Sequence, residues 1–214
     1  LIVELPAAGV VNAATNTLYT GQVNVAAHWI NPTGNELNRT MPGDLRGIDT
    51  AGEFKLLTTY GMAAVELTGT GGELLQVAPG KKATLTMPLP PALSASAPST
   101  IPLWYFDENT GLWKEEGSAV KVGNNYVGEV SHFSYWNYDM PSNYVRFNCT
   151  VTNGKGMPIK NVLVRVSVAG SPQSFGFGYT DSSGYTGGAV PNNASLVLEV
   201  FGDYNCLAGL AAKN

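Results

Sequence analysis

The chain of 214 residues is 44% hydrophobic and only 13% charged, a composition that excludes intrinsic disorder and supports a packed core. Lys and Arg number 12 against 16 Asp and Glu, net −4, with a pI near 5.1, so there is no electrostatic footprint for nucleic acid or anionic lipid. No run of about 18 apolar residues is present, so no membrane insertion of this stretch is expected. The opening Leu1-Ile2-Val3-Glu4-Leu5, with no initiator Met and no basic n-region, reads as an excised or mature piece of a longer protein.

In chain order, the first strand signal is Val23-Asn24-Val25-Ala26-Ala27-His28-Trp29, where period-2 alternation predicts a strand with one buried face. The same period recurs at residues 83–87, 162–168 and 196–200. Between these runs lie turn signals such as Pro32-Thr33-Gly34-Asn35, Gly69-Thr70-Gly71-Gly72, Asn109-Thr110-Gly111, Asn153-Gly154-Lys155-Gly156 and Asp181-Ser182-Ser183-Gly184. Residues 88–102 hold Pro88, Pro90, Pro91, Pro98 and Pro102, the longest break in the strand pattern, and read as an ordered crossover or a linker. No window sustains helical spacing, because Gly or Pro interrupts nearly every candidate. The expected fold is all-β, as two β-sandwich-like domains.

The boundary is placed at Met140-Pro141, giving domains 1–140 and 141–214, because one strand series ends at Phe133-Ser134-Tyr135-Trp136 and another opens at Tyr144. The surfaces differ as well: residues 1–143 carry 7 basic and 13 acidic side chains, net −6, whereas 144–214 carry 5 and 3, net +2. The cluster Tyr135, Trp136, Tyr138 and Tyr144 straddles the boundary and is expected to hold the two domains against each other.

The second half reads Asn153-Gly154-Lys155-Gly156-Met157-Pro158-Ile159-Lys160-Asn161-Val162, then Tyr179-Thr180-Asp181-Ser182-Ser183-Gly184-Tyr185. This resembles the carboxypeptidase regulatory-like domains, which implies a small transthyretin/prealbumin-like sandwich for residues 141–214. In the first half, Gly43-Asp44-Leu45-Arg46-Gly47-Ile48-Asp49, Tyr60-Gly61-Met62-Ala63-Ala64-Val65-Glu66-Leu67, Ala78-Pro79-Gly80-Lys81 and Ile101-Pro102-Leu103-Trp104-Tyr105-Phe106-Asp107 follow one another in order. These motifs are similar to a β-rich extracellular domain of bacterial surface lipoproteins and, more distantly, of the cartilage intermediate layer proteins. The resemblance implies an extracellular or cell-surface location, a lipid-anchored parent chain and a role in adhesion. In the carboxypeptidases such a domain is an accessory, and the zinc-peptidase motif is absent here.

Cys149 lies in phase with Phe147 and Val151, and Cys206 in phase with Leu196, Leu198 and Val200 if that strand continues. They read as a disulfide or as two separate buried thiols, and the surface location implied by the resemblance favours pairing. Two Cys without both His cannot make a four-ligand zinc site, and no cofactor is expected. His28 and His132 read as structural or solvated, since neither stands beside a G-x-S-x-G nucleophile elbow. A small hydrolase using His132 with Asp139 or Glu129 is the weakest alternative. Asp107-Glu108-Asn109-Thr110-Gly111 reads as a hairpin turn rather than a calcium loop, and Lys81-Lys82 as a turn rather than half of a Lys–Asn isopeptide crosslink.

The sequons at Asn38, Asn148 and Asn193 matter only in a secreted eukaryotic chain. Phe175, Phe177 and Tyr179 alternate with glycines and, with Tyr185, are the candidate ligand-facing aromatics; core packing is the competing reading. The expected function is a non-catalytic extracellular structural or adhesion module with a protein or glycan partner at the cell surface. The alternative is a carbohydrate-binding module of a surface glycan-handling protein.

Overall fold

The computed structural model describes residues 1–34 and 36–202. The protein is all-β, a sandwich fold, and divides into two compact units, Leu1–Pro141 and Ser142–Asn214. Cys206 lies outside the described residues.

The first unit holds β1 (Ile2–Glu4), β2 (Val10–Asn12), β3 (Asn24–Ile30), β4 (Arg46–Ile48), β5 (Phe54–Thr68), β6 (Leu74–Val77), β7 (Ala83–Pro88), β8 (Thr100–Asp107), β9 (Leu112–Val122), β10 (Asn125–Val130) and β11 (Tyr135–Ser142). All belong to one 11-stranded sheet in the order β1-β7-β10-β9-β8-β11-β5-β6-β2, with β3 on β5 and β4 on both β5 and β9. β4 is antiparallel to β5 and parallel to β9, so it closes a ring of β4, β5, β11, β8 and β9. Ring closure removes open strand edges at that end of the unit.

β5 explains why two apolar clusters share one sheet. Its residues 59–63 are buried in succession, because both faces of the strand are covered. Leu57 and Met62 join Trp104 and Trp113 in the smaller cluster, while Tyr60, Ala63, Val65 and Leu67 join the larger one with Trp136, Tyr126 and Tyr138. The alternation at residues 83–87 is realised in β7, where Ala83, Leu85 and Met87 are buried.

β3 departs from expectation. Residues 24–28 are all exposed, Trp29 is half-buried and only Ile30 is buried. β3 pairs with β5 alone, and its central residues are the small Ala26 and Ala27, so alternation there does not mark a buried face. Helix is confined, among the described residues, to one turn at α1 (Leu37–Thr40) and a 3₁₀ turn at Pro91–Leu93.

The proline-rich segment is an ordered crossover. Leu89 is buried, Tyr60 donates to the Ser96 carbonyl at 3.1 Å, Tyr126 donates to the Pro98 carbonyl at 2.8 Å, and Lys121 Nζ donates to the Ser94 carbonyl at 2.8 Å. Residues 107–111 form the β8–β9 hairpin turn, with Gly111 at φ +69°.

The second unit holds β12 (Tyr144–Thr150), β13 (Leu163–Val168), β14 (Ser171–Tyr179), β15 (Tyr185–Pro191) and β16 (Leu196–Phe201). β12 and β15 form a two-stranded sheet, and β14-β13-β16 a three-stranded one, both antiparallel. Two matched Asx turns shape it. Asn153 Oδ1 accepts from the Lys155 and Met157 amides, and Asp181 Oδ1 from those of Ser183 and Tyr185. Thr180 ties the second turn inward, donating to the Ile159 carbonyl at 2.7 Å and accepting from the Val162 amide at 2.9 Å.

Gly47 on β4 leaves no room for a side chain. A Cβ there would sit 2.8 Å from the buried Trp104 ring and 3.0 Å from the Trp113 backbone oxygen. Gly47→Ala is therefore expected to destabilise by about 1–3 kcal/mol through overpacking, read as a lower urea midpoint with an unchanged slope.

Candidate functional site

The alternation of β14 puts Phe175, Phe177 and Tyr179 on one side of the three-stranded sheet. Register extends that face across its neighbours: Tyr179 stands beside Leu163 and Phe201, Phe177 beside Arg165 and Glu199, and Phe175 beside Ser167 and Val197. Phe177 is 69% exposed, Tyr179 63%, and Val197 and Phe201 each 44%, whereas Phe175 is half-buried. The Phe175 and Phe177 ring centroids are 6.4 Å apart. Arg165 supplies the polar centre, its guanidinium carbon 4.2 Å from the Phe175 centroid and Nη1 3.4 Å from Glu199 Oε2. Arg165 thus holds Phe175 by a cation–π contact while Phe177 and Tyr179 stay open to solvent. Flat rings beside one donor and one acceptor can stack on a sugar face or anchor a protein partner.

Tyr185 is placed apart from these rings. It lies on β15, paired with Thr150, and its hydroxyl donates to Asn148 Oδ1 at 2.7 Å, so its polar end is already committed. Cys149 is half-buried on β12 opposite Thr186, and burial pushes its thiol above the ordinary value.

The aromatic cluster at the boundary is divided. Trp136 and Tyr138 are wholly buried in the first unit's larger core, Tyr135 packs on its smaller cluster, and Tyr144 is 46% exposed. The rings of Trp136 and Tyr138 are thus part of the first unit's own core.

His132 is wedged between Tyr105 and Trp136, with ring centroids at 4.9 and 5.1 Å, and burial holds it below the ordinary histidine value. Its nearest carboxylate is Glu116 at 4.0 Å, rather than Asp139 or Glu129. Ser131 donates to the other Glu116 oxygen at 2.5 Å, so the acid stands between hydroxyl and imidazole. A nucleophile needs the base against it, and this order is the wrong one. Asp107 is drawn to Lys114 at 2.6 Å and to Thr110, contacts that lower its carboxyl to about 2 and close the hairpin turn. Among the described residues no three His, Cys, Asp or Glu side chains gather as a metal cage, and no helix is long and apolar enough to cross a membrane.

The pattern reading missed a buried polar trio. Thr59 of β5 and Asn137 and Asp139 of β11 are each at most 1% exposed. Thr59 Oγ1 donates to Asn137 Oδ1 at 2.8 Å, and Asn137 Nδ2 donates to Asp139 Oδ2 at 2.5 Å. Burial raises the Asp139 carboxyl well above its ordinary value, against the opposing hydrogen bonds of Thr59 and Asn137.

Comparison with known proteins adds one resemblance. The chain is similar to cartilage intermediate layer protein 2. It is 37% identical to the mouse protein over 106 residues, which are 49% of this chain and 9% of that protein. It is 32% identical to the human protein over 120 residues, 55% of this chain and 10% of that protein. The chain thus spans about a tenth of the length of the curated relatives it matches. No family model matches it. No solved structure matches it.

The raised Asp139 carboxyl sets a pH dependence. Its folded value is raised, so above the ordinary carboxylate range the unfolded chain loses this proton while the folded chain keeps it, and stability falls as pH rises. A single such group contributes a slope of up to about 1.4 kcal/mol per pH unit, starting near pH 4. Denaturant midpoints between pH 4 and pH 7 are expected to show this fall, and Asp139→Asn to flatten it.

Proposed function

We propose that this chain is a non-catalytic extracellular module that works by contact, as a structural or adhesive part of a larger surface or matrix protein. The observation that carries this reading is the open aromatic face of β14-β13-β16, where Phe177 and Tyr179 are more than half exposed beside the Arg165–Glu199 pair. Exposed rings of this size, grouped on one sheet face, are characteristic of contact surfaces. The relatives are named for a layer of cartilage, a tissue setting that agrees with an extracellular role. The motif resemblance of the second unit to the regulatory-like, transthyretin-like accessory domains supports the same reading, as does the likeness of the first unit's motifs to a domain of bacterial surface lipoproteins.

A second reading has its own support in the polar centre of the face. Rings lying beside an arginine and a carboxylate provide the stacking surface and hydrogen bonding that a pyranose requires, which favours a glycan ligand. A glycan array and a panel of immobilised matrix proteins separate the two. On whichever surface the chain binds, the double substitution Phe177→Ala, Tyr179→Ala is expected to weaken binding by at least about tenfold, with the thermal midpoint nearly unchanged because both rings are exposed. Equal binding by the double variant overturns the assignment of this face.

The same location implies that Cys149 and Cys206 pair, the two being the chain's whole complement of cysteine. Titration of the unfolded, unreduced protein is expected to find no reactive thiol; two per chain would overturn both the bridge and the oxidising compartment it presumes.

A further inference from the structure

Of the five buried polar or charged side chains among the described residues, three form the Thr59, Asn137 and Asp139 cluster. The Gly61 amide donates to Thr59 Oγ1 at 3.1 Å, which leaves the hydroxyl proton aimed at Asn137 Oδ1. Asp139 accepts from the Asn137 amide nitrogen and stands close enough to the Thr59 hydroxyl for the hydroxyl to act on its carboxyl. Its second oxygen, Oδ1, is buried with no hydrogen-bond partner among the described residues. A hydroxyl, a carboxamide and a carboxyl in mutual contact, shut away from water, are the components of an acyl transfer. An unpaired buried carboxyl oxygen is costly, so a purely structural cluster leaves that penalty unexplained.

We propose that Thr59 and Asn137 become joined by an ester bond between β5 and β11. Thr59 Oγ1 attacks Cγ of the Asn137 side chain, and the hydroxyl proton passes to the Asp139 carboxyl. The carboxyl returns a proton to Nδ2, the Cγ–Nδ2 bond breaks, and ammonia leaves. One O–H and one C–N bond are exchanged for one C–O and one N–H bond, nothing is oxidised or reduced, and Asp139 ends as it began.

The link is geometrically suitable for neighbouring strands. Its path Cα–Cβ–Oγ–Cγ–Cβ–Cα has the same number of atoms as a disulfide, which spans Cα atoms about 4.4–6.8 Å apart, and paired strands hold theirs at about 4.5–5.5 Å. β5 and β11 are hydrogen-bonded neighbours, and the two residues lie 78 positions apart in the chain. The burial of Asp139 also keeps water from the ester once it has formed.

Mass spectrometry decides the matter. After reduction of any disulfide, the wild-type chain is expected to weigh about 17 Da less than its sequence, one ammonia, while Thr59→Val and Asp139→Asn keep the full reduced mass. Trypsin is expected to release peptides 56–81 and 122–146 joined to each other, separable by hydroxylamine. A wild-type chain at full mass overturns the proposal. So does the lower mass with those two peptides separate, the pattern that a succinimide at Asn153-Gly154 would give.

Discussion

The first unit depends on one repeated arrangement, in which a buried ring carries its polar atom to a backbone carbonyl elsewhere in the chain. Trp104 donates to the carbonyl of Asp139, Trp113 to that of Asp44, and Trp136 to that of His132. Tyr60, Tyr126 and Tyr138 donate to the carbonyls of Ser96, Pro98 and Leu85. Trp104, Trp113, Trp136, Tyr126 and Tyr138 are the largest of the fully buried side chains, and each would leave a polar atom orphaned in the core without such a partner. The carbonyls they reach belong in several cases to connections rather than strands, so the core's own side chains fasten the loops. Ser96 and Pro98 show this most plainly: the proline-rich crossover is ordered because tyrosines beneath it need acceptors.

Ring closure by β4 makes the same unit intolerant of adjustment. A strand of three residues is hydrogen-bonded on both sides, and its Gly47 lets the Trp104 ring pass within contact distance. Gly128 does similar service on β10, where a Cβ would lie 2.9 Å from Leu103 and 3.0 Å from Ala119. These glycines are needed for close approach of neighbours rather than for backbone freedom, since neither has a positive φ. The second unit, with two small sheets and two Asx turns, is organised instead by its loops.

Much of this was legible in the sequence, and the failures have physical reasons. Alternation at residues 83–87 and the Asn109-Thr110-Gly111 turn translated directly, because each rests on local geometry. Alternation at residues 23–29 did not, since period 2 reports which residues share a face and not whether anything covers it. Trp136-Asn137-Tyr138-Asp139 shows the converse. Polar residues alternate with rings there, yet all four are buried, as β5 and β8 flank β11 and the polar pair turns to Thr59 and to itself, with Asp139 Oδ1 left unpaired among the described residues. For the candidate site, the rings of β14 could be read from the Phe-Gly alternation. Arg165, Glu199 and Phe201 could not, because they reach that face only through cross-strand register.

The closed ring has a consequence for how the polypeptide can be made. β4 ends at Ile48, but its parallel partner β9 begins at Leu112, and β11, which completes the circuit, runs to Ser142. On a ribosome, β4 must therefore wait, unpaired on one edge, for the 64 residues from Ile48 to Leu112 to be added before β9 begins. Hairpins such as β8–β9 can form as they emerge, whereas the circuit itself closes only near the end of the unit's synthesis. During that interval the exposed, nearly uncharged β3 segment is the part of the nascent chain most open to wrong pairing with another copy.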